Sequence, residues 1–168
     1  MKRLVILFFI LIFSFPFISN SFSTSSTYYY PTDYTYITSE YGNRDLLGKN
    51  NFHNGIDFGA PFNSKIYATK SGVVTFCGFI QGYGNSVIIE HEDGFKSMYC
   101  HVGEQFIVNV GDFVNTSSHI ANVGPLYLSN GIMNGITTGP HLHFTIYDKN
   151  GKTVNPKDFK YEKRTTSN

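Results

Sequence analysis

The chain has 168 residues, of which 41% are hydrophobic and 17% aromatic, and this composition is sufficient for one buried core. Its formal net charge is +1, and no basic patch or basic helix is visible, which argues against a nucleic-acid partner. These properties exclude a disordered tail and favour one globular domain.

The N-terminal segment has the organisation of a secretory signal peptide. Met1-Lys2-Arg3 precede an apolar run from Leu4 to Phe13, and small residues follow at the spacing of a cleavage site. We predict a signal peptide over residues 1–23, cleaved near Ser23. An uncleaved anchor is the alternative, but a run of about ten to fifteen residues interrupted by Pro16 is short of the ~20 that a spanning helix needs. We therefore expect an exported protein, periplasmic or extracellular, with no stable membrane anchoring after cleavage.

The remainder of the chain has the pattern of a β domain. Residues 24–36 are rich in Tyr, Thr and Ser and fit either a linker or a first edge strand. From Ile37 onward, glycines recur between short β-branched and aromatic runs, and no segment keeps a helical period. We predict a mainly β domain, a single antiparallel sheet, over residues 37–159. A polar tail is predicted over residues 160–168.

Three central strands, 73–77, 86–91 and 95–100, are predicted to form a meander. Counting from the Asp93-Gly94 turn places Cys100 opposite Val87, with Cys77 in the same row. The two sulfurs would then flank a central strand, with Cα atoms at about twice the ~4.8 Å strand spacing. This separation exceeds the ~7 Å limit for a disulfide. We predict two free, largely buried thiols, even though export favours disulfides.

Imidazole and carboxylate groups, which are usual zinc ligands, occur in a suggestive pattern. They are His53, Asp57, His101, His141 and His143. If a strand runs through residues 141–146, both histidines of the last pair share one face. In an extended strand, positions four apart lie about 13 Å from each other. The chain must therefore curve between His53 and Asp57 to bring both to one metal, and we expect Gly55 to supply the necessary freedom.

Five segments around these positions occur in an order and spacing that match a known family. They are Ile37-Thr38-Ser39-Glu40-Tyr41-Gly42-Asn43-Arg44, Phe52-His53-Asn54-Gly55-Ile56-Asp57, Gly82-Tyr83-Gly84-Asn85, Met98-Tyr99-Cys100-His101 and Thr138-Gly139-Pro140-His141-Leu142-His143-Phe144. Together they resemble the lysostaphin/LytM-type zinc metallopeptidases, which cut peptide cross-links in bacterial cell walls. Each motif is weak alone, but the ordered set is specific. The resemblance covers residues 37–159.

The resemblance implies one Zn²⁺ held by His53, Asp57 and His143, with water in the fourth position. It also implies that His101 and His141 transfer protons and stabilise the tetrahedral intermediate, and that the substrate is a peptidoglycan peptide. This chemistry is coherent, because zinc lowers the pKa of bound water towards ~7 and a neutral imidazole can accept its proton. No H-E-x-x-H motif, with its glutamate base, is present.

Two other functions remain open at this point. A non-catalytic member of the same fold could bind the wall or activate another wall hydrolase, although such relatives typically lack a metal ligand and this chain has all of them. An unrelated exported β protein with a metal-storage or adhesive role would require the ordered motifs to be coincidence. His91 and His119 are interpreted as structural histidines. Arg44 is expected either to line the groove or to pair with an acid.

The chain departs from the family pattern at two places. Residues 125–138 are longer than the short glycine-serine stretch usual before the histidine triplet, and we expect this long loop to border the site. A surface elaboration without a role is the alternative. Cys100 stands where a small residue such as alanine is usual. We expect its side chain to face away from His101, into the core, and not to act as a nucleophile.

Overall fold

The computed structural model describes residues 27–46 and 48–164. The predicted signal peptide lies outside these residues, within which no helix is long and apolar enough to cross a membrane. The described chain forms short strands and one 3-10 helix over Pro156–Asp158. The strands are β1 Tyr28–Tyr29, β2 Ile37–Ser39, β3 Gly42–Leu46, β4 Lys49–His53, β5 Ile56–Phe58, β6 Lys65–Tyr67, β7 Gly72–Ile80, β8 Gly84–Glu90, β9 Lys96–Cys100, β10 Phe113–Val114, β11 His119–Asn122, β12 Leu142–Tyr147, β13 Thr153–Val154 and β14 Tyr161–Glu162.

The main sheet has eight strands in the order β10-β7-β8-β9-β12-β5-β2, with β13 beside β12. All of its pairings are antiparallel. Two-stranded pairs β3–β4 and β6–β11 lie outside it. The predicted mainly β fold with a central antiparallel sheet is confirmed, and the predicted meander is β7-β8-β9.

One face of the main sheet covers the hydrophobic core. Ile56, Phe144, Tyr99 and Val87 lie in register across four neighbouring strands, and each is at most 1% exposed. Residues directly opposite each other in a sheet project to the same face. These side chains therefore form one apolar row, and their large buried area stabilises the strands that carry the site.

The opposite face of the same strands is polar, and we call it the site face. Asp57, His143, Cys100 and Ser86 lie in register, each one residue along from a member of the apolar row. Because side chains alternate along a strand, the row that buries the core and the row that carries the chemistry use the same strands.

The segments that flank residues 37–159 also contribute strands. Parallel pairing joins β1 to β14, and the Tyr28 side chain is 2% exposed within the core cluster. Arg164 donates hydrogen bonds to the carbonyls of Thr116 and Ala68, at 2.7 and 3.0 Å. Residues 28–29 and 161–164 thus pack against the same core as the main sheet.

Both cysteines are free as predicted, but Cys77 is only half-buried, and the predicted register of Cys100 was wrong by one residue. Val87 faces Tyr99, and Cys100 faces Ser86, while Cys77 does face Val87. The two cysteines therefore project to opposite faces of the sheet. Cys100 is fully buried on the site face beside His143, not in the main core as expected. Burial raises its pKa to about 12, so it remains a protonated thiol and a poor nucleophile.

Candidate functional site

The chain turns sharply between the first two predicted ligands. β4 ends at His53 and β5 begins at Ile56, so the extended separation of about 13 Å is not reached. The reason for Gly55 differs from the one expected. Its φ lies outside the left-handed range, but a Cβ at this position would lie 2.4 Å from the Phe144 carbonyl oxygen and 2.9 Å from the His143 ring. Gly55 is required for close approach of two chain segments rather than for conformational freedom.

Three side chains converge on one point above the site face. His53 Nε2 lies 2.9 Å from His143 Nδ1 and 3.1 Å from Asp57 Oδ1, and the Nδ1 of His143 lies 2.8 Å from the same oxygen. Ligand atoms bound tetrahedrally to zinc at about 2.0–2.1 Å are roughly 3.3 Å apart. If the three ligand atoms moved apart by a few tenths of an ångström, a zinc ion would therefore fit between them.

The remaining ring nitrogens fix which atoms carry protons. His53 Nδ1 lies 2.8 Å from the Glu40 carbonyl oxygen, which can only accept, so Nδ1 carries the proton and Nε2 keeps its lone pair. His143 Nε2 lies 3.0 Å from Thr145 Oγ1, which can accept its proton and leave Nδ1 unprotonated. Two lone pairs and a carboxylate then face each other, an arrangement that a cation stabilises.

The charge states are those that a metal requires. Burial raises the pKa of Asp57, but the imidazole rings of His143 and His53, at 2.8 and 3.1 Å from its Oδ1, outweigh it and hold the pKa well below its usual range. Burial lowers the pKa of His143, so its ring is neutral at physiological pH. An ionised carboxylate and a neutral imidazole are the forms in which these groups bind metals.

Arg44 and Ser39 support the carboxylate from the groove side. The Arg44 guanidinium lies 3.4 Å from Asp57 Oδ2 and also donates to the Ser39 hydroxyl. Arg44 also lines the groove, so both roles considered from the sequence are present. Because Asp57 Oδ2 faces Arg44, the other carboxylate oxygen, Oδ1, faces the histidines.

His101 and His141 stack beside the cluster, with ring centroids 4.7 Å apart. Each ring is anchored through Nδ1 to a backbone carbonyl. His101 Nδ1 donates to Asn134 at 2.6 Å, and His141 Nδ1 donates to Gly139 at 2.9 Å. Both rings therefore keep a lone pair on Nε2, and His141 Nε2 lies 3.6 Å from Asp57 Oδ1. Burial, reinforced by the neighbouring His141, lowers the pKa of His101 to about 3, so this ring is neutral.

A groove of about 700 Å³ runs past His141 and Asp57. Its lining includes Arg44 and Asp45 and, from the end of the long loop, Met133 and residues 135–140. Met133 and Ile136 are exposed there, at 42% and 76%. The structure thus places the long loop at the border of the site.

The two histidines interpreted as structural lie apart from this cluster. His91 is buried and contacts the Ser71 carbonyl and the Ser97 hydroxyl, each at 2.9 Å. His119 lies on β11, where its Nε2 contacts Asn122 Oδ1 at 2.6 Å.

Sequence reasoning missed three supporting residues: Ser39, Asn134 and Thr145. Thr145 had a detectable signal, since it lies two residues after His143 on a strand and must share its face. Ser39 belongs to a matched segment, but its hydrogen bond to Arg44 depends on how β2 and β3 cross. Asn134 lies in the long loop, where no pattern of the sequence indicated its contacts.

Two imidazoles and a carboxylate that antiparallel strands bring to one point, beside a groove lined by His141, define a metallopeptidase-type domain. The sequence profile of peptidase family M23 matches residues 51–156, and the chain belongs to this family.

Among curated proteins, the DD-carboxypeptidase/endopeptidase Mpg of Neisseria meningitidis is 38% identical over 128 residues, which cover 75% of this chain and 27% of that protein. The murein hydrolase activator NlpD of Escherichia coli is 35% identical over 136 residues, covering 78% of this chain and 30% of NlpD. The chain therefore spans only about three tenths of the length of these relatives.

Solved structures agree on the fold. A zinc-containing peptidase from Vibrio cholerae superposes with a TM-score of 0.63 at 32% identity, covering 75% of this chain and 37% of that one. The catalytic domain of lysostaphin from Staphylococcus simulans gives a TM-score of 0.63 at 27% identity, covering 73% of this chain and 90% of that one. The resemblance to lysostaphin/LytM-type peptidases is confirmed.

Proposed function

We propose that this chain is an exported zinc metalloendopeptidase that hydrolyses peptide cross-links or stems of bacterial peptidoglycan. His53 Nε2, Asp57 Oδ1 and His143 Nδ1 hold one Zn²⁺, and His101 and His141 transfer protons. The observation that carries the proposal is the set of three ligand atoms within 3.1 Å of one another, each on a side chain that has a hydrogen-bond partner on its far side.

Zinc held there would polarise the scissile carbonyl and lower the pKa of a bound water. The chain's own residues then handle the protons. His141 lies in the groove with its Nε2 lone pair towards the centre, which suits it to accept a proton and to deliver it to the leaving amine. His101, 5% exposed and in ring contact with His141, supplies the second neutral imidazole.

The groove indicates how a peptide would lie. A main chain bound past Asp57 and His141 would lie in a groove lined by the charged side chains of Arg44 and Asp45 and by the apolar side chains of Met133 and Ile136. Charged groups of a stem peptide would pair with the first two residues, and its aliphatic parts would contact the last two. The relative ShyB of Vibrio cholerae, 32% identical over 126 residues and named a peptidoglycan DD-endopeptidase, supports peptidoglycan as the substrate class.

Digestion of purified peptidoglycan by the zinc-loaded protein, with mass analysis of the released fragments, tests the proposal. We expect new amino termini at one type of peptide bond, and loss of these products when zinc is removed by a chelator. Intact peptidoglycan after prolonged incubation with fully zinc-loaded protein would contradict the proposal.

A non-catalytic activator of another wall hydrolase is the second candidate, because NlpD is named as a murein hydrolase activator. The two candidates differ in one experiment. An activator would release no fragments alone but would accelerate a separately purified wall hydrolase, and Asp57→Ala would leave that acceleration intact. An endopeptidase would release fragments alone, and Asp57→Ala would abolish the release.

A further inference from the structure

His101 has an unusual backbone conformation for its residue type. Its φ is +58°, in the left-handed region that non-glycine residues rarely adopt. Its N–H donates to the Tyr83 carbonyl at 3.0 Å, and its own carbonyl accepts from the Gly124 N–H at 2.8 Å. These bonds hold the main chain, and the ring is held separately by the Asn134 carbonyl, at 2.6 Å from Nδ1.

Asn134 is buried and is held by hydrogen bonds of both its side chain and its backbone. Its side chain is 0% exposed. Oδ1 accepts from the Asn85 N–H at 2.8 Å, and Nδ2 donates to the Val102 carbonyl at 3.0 Å. Its backbone N–H donates to the Leu126 carbonyl at 2.9 Å. The side chain thus links the long loop to the residue after His101 and to the start of β8.

The packing around Asn134 leaves no space for another arrangement. A Cβ at Gly84 would lie 2.3 Å from Asn134 Oδ1, and a Cβ at Gly124 would lie 2.4 Å from Asn134 Nδ2. A Cβ at Gly135 would lie 2.7 Å from backbone atoms of residues 82–84. Glycine at these three positions allows the loop to come this close, so the loop is part of the packed site rather than a surface elaboration.

We propose that Asn134 is a positioning residue, which through its own carbonyl sets the tautomer and orientation of His101. This inference rests on the proposed function of the same site. The side-chain amide holds the residue, the carbonyl takes the Nδ1 proton of His101, and the Nε2 lone pair is thereby directed at the reaction centre. Within the long loop, Asn134 is the residue that acts on His101, whereas Met133 and Ile136 line the groove.

Asn134→Ala is the direct test, with Asn130→Ala as its matched control. Alanine keeps the backbone carbonyl but removes both side-chain hydrogen bonds that hold it in place. Asn130 lies exposed in the same loop, where its Oδ1 accepts from the Ile132 N–H. In the zinc-loaded protein we expect Asn134→Ala to lower kcat by about 10- to 100-fold with KM nearly unchanged, because misplacement by about 1 Å costs on this order. Asn130→Ala should leave both constants unchanged.

Nitrogen NMR of the imidazoles supplies a readout that does not depend on activity. Wild-type His101 should give a single Nδ1–H tautomer with a slowly exchanging proton, and Asn134→Ala should give mixed tautomers and faster exchange. Zinc content should be equal in all variants. A fall in kcat without a tautomer change, a tautomer change without a fall in kcat, or no change in either would each overturn the proposal.

A pair of loop variants keeps the test informative if Asn134→Ala is unstable. Replacing residues 128–132 by Asn-Gly shortens the outer turn but keeps Asn134, and should preserve both kcat and the tautomer. Replacing residues 126–136 by a Gly-Ser linker removes Asn134 and should lose both. Equal losses in the two would show that loop length matters and Asn134 does not. A wild-type protein without hydrolytic activity would instead contradict the proposed function, and the tautomer measurement would still decide the positioning role.

Discussion

The two halves of the candidate site are built in different ways. The ligand half, His53, Asp57 and His143, stands at the end of β4 and within β5 and β12, with Asp57 and His143 directly opposite each other in the sheet. The proton-transfer half lies just outside the strands, with His101 directly after β9 and His141 directly before β12. Its rings are held by the carbonyls of irregular segments.

The side chains of the two halves are therefore oriented by different kinds of contact. In the ligand half, ladder hydrogen bonds hold the three strands, the apolar row on the opposite face supports Asp57 and His143, and one extra hydrogen bond orients each imidazole ring. In the proton-transfer half, the ring directions depend on the contacts of the long loop and of Gly139. Zinc binding should therefore be sensitive to loss of ligand atoms in the ligand half. Turnover should be sensitive to loss of loop contacts in the proton-transfer half.

The largest effect is expected in the ligand half. Asp57→Ala leaves two protein ligands for a metal that prefers three plus water, so bound zinc should fall sharply and wall hydrolysis should reach background. Asp112→Ala, which removes an exposed carboxylate, is the control. Metal analysis after dialysis measures the outcome, and full zinc occupancy in Asp57→Ala would refute the ligand assignment.

The proton-transfer half should respond in activity but not in metal content. We expect His101→Ala and His141→Ala to keep zinc and the fold while losing about 10²–10⁴-fold in turnover, the usual contribution of general acid-base groups. His119→Ala, distant from the cluster, should retain wild-type turnover. Near-wild-type hydrolysis by either of the first two variants would remove that residue from the mechanism.

A smaller effect should follow from loosening one ligand without removing it. Thr145→Val deletes the hydroxyl 3.0 Å from His143 Nε2 while keeping the side-chain volume. Loss of such an orienting partner typically costs about 10- to 100-fold in metal affinity. Thr75→Val, at an exposed position on β7, is the matched control. Zinc affinities measured by competition with a chelating dye would be equal for the two variants if the sheet alone oriented His143.

The smallest effect on activity is expected from the two cysteines, which test the register of the strands near the ligand half. Because Cys77 and Cys100 project to opposite faces of the sheet, both should label with a thiol reagent after denaturation without reductant. Activity should not depend on reductant. A non-reduced protein whose mass lacks the two thiol hydrogens would show a disulfide and contradict this register.

The sequence indicated most of the ligand half. A strand through His143 was predicted, and β12 is that strand, but it begins at Leu142, so His141 lies just outside it. The β-rich pattern, the meander and the two free thiols were also accessible, since glycine turns and β-branched runs are local signals. The position of Cys100 in its row was missed by one residue, because counting from a turn depends on how many residues the turn itself contains.

The proton-transfer half was decided by the tertiary structure. The hydrogen bond between His101 and Asn134 joins residues 33 positions apart through a loop without periodicity. The role of Gly55 could not be predicted from the sequence either, since its close approach to Phe144 arises only when β5 and β12 pair. Local patterns determine which residue types and faces are available, whereas a tautomer, a close contact or a buried amide depends on segments that meet only in the folded chain.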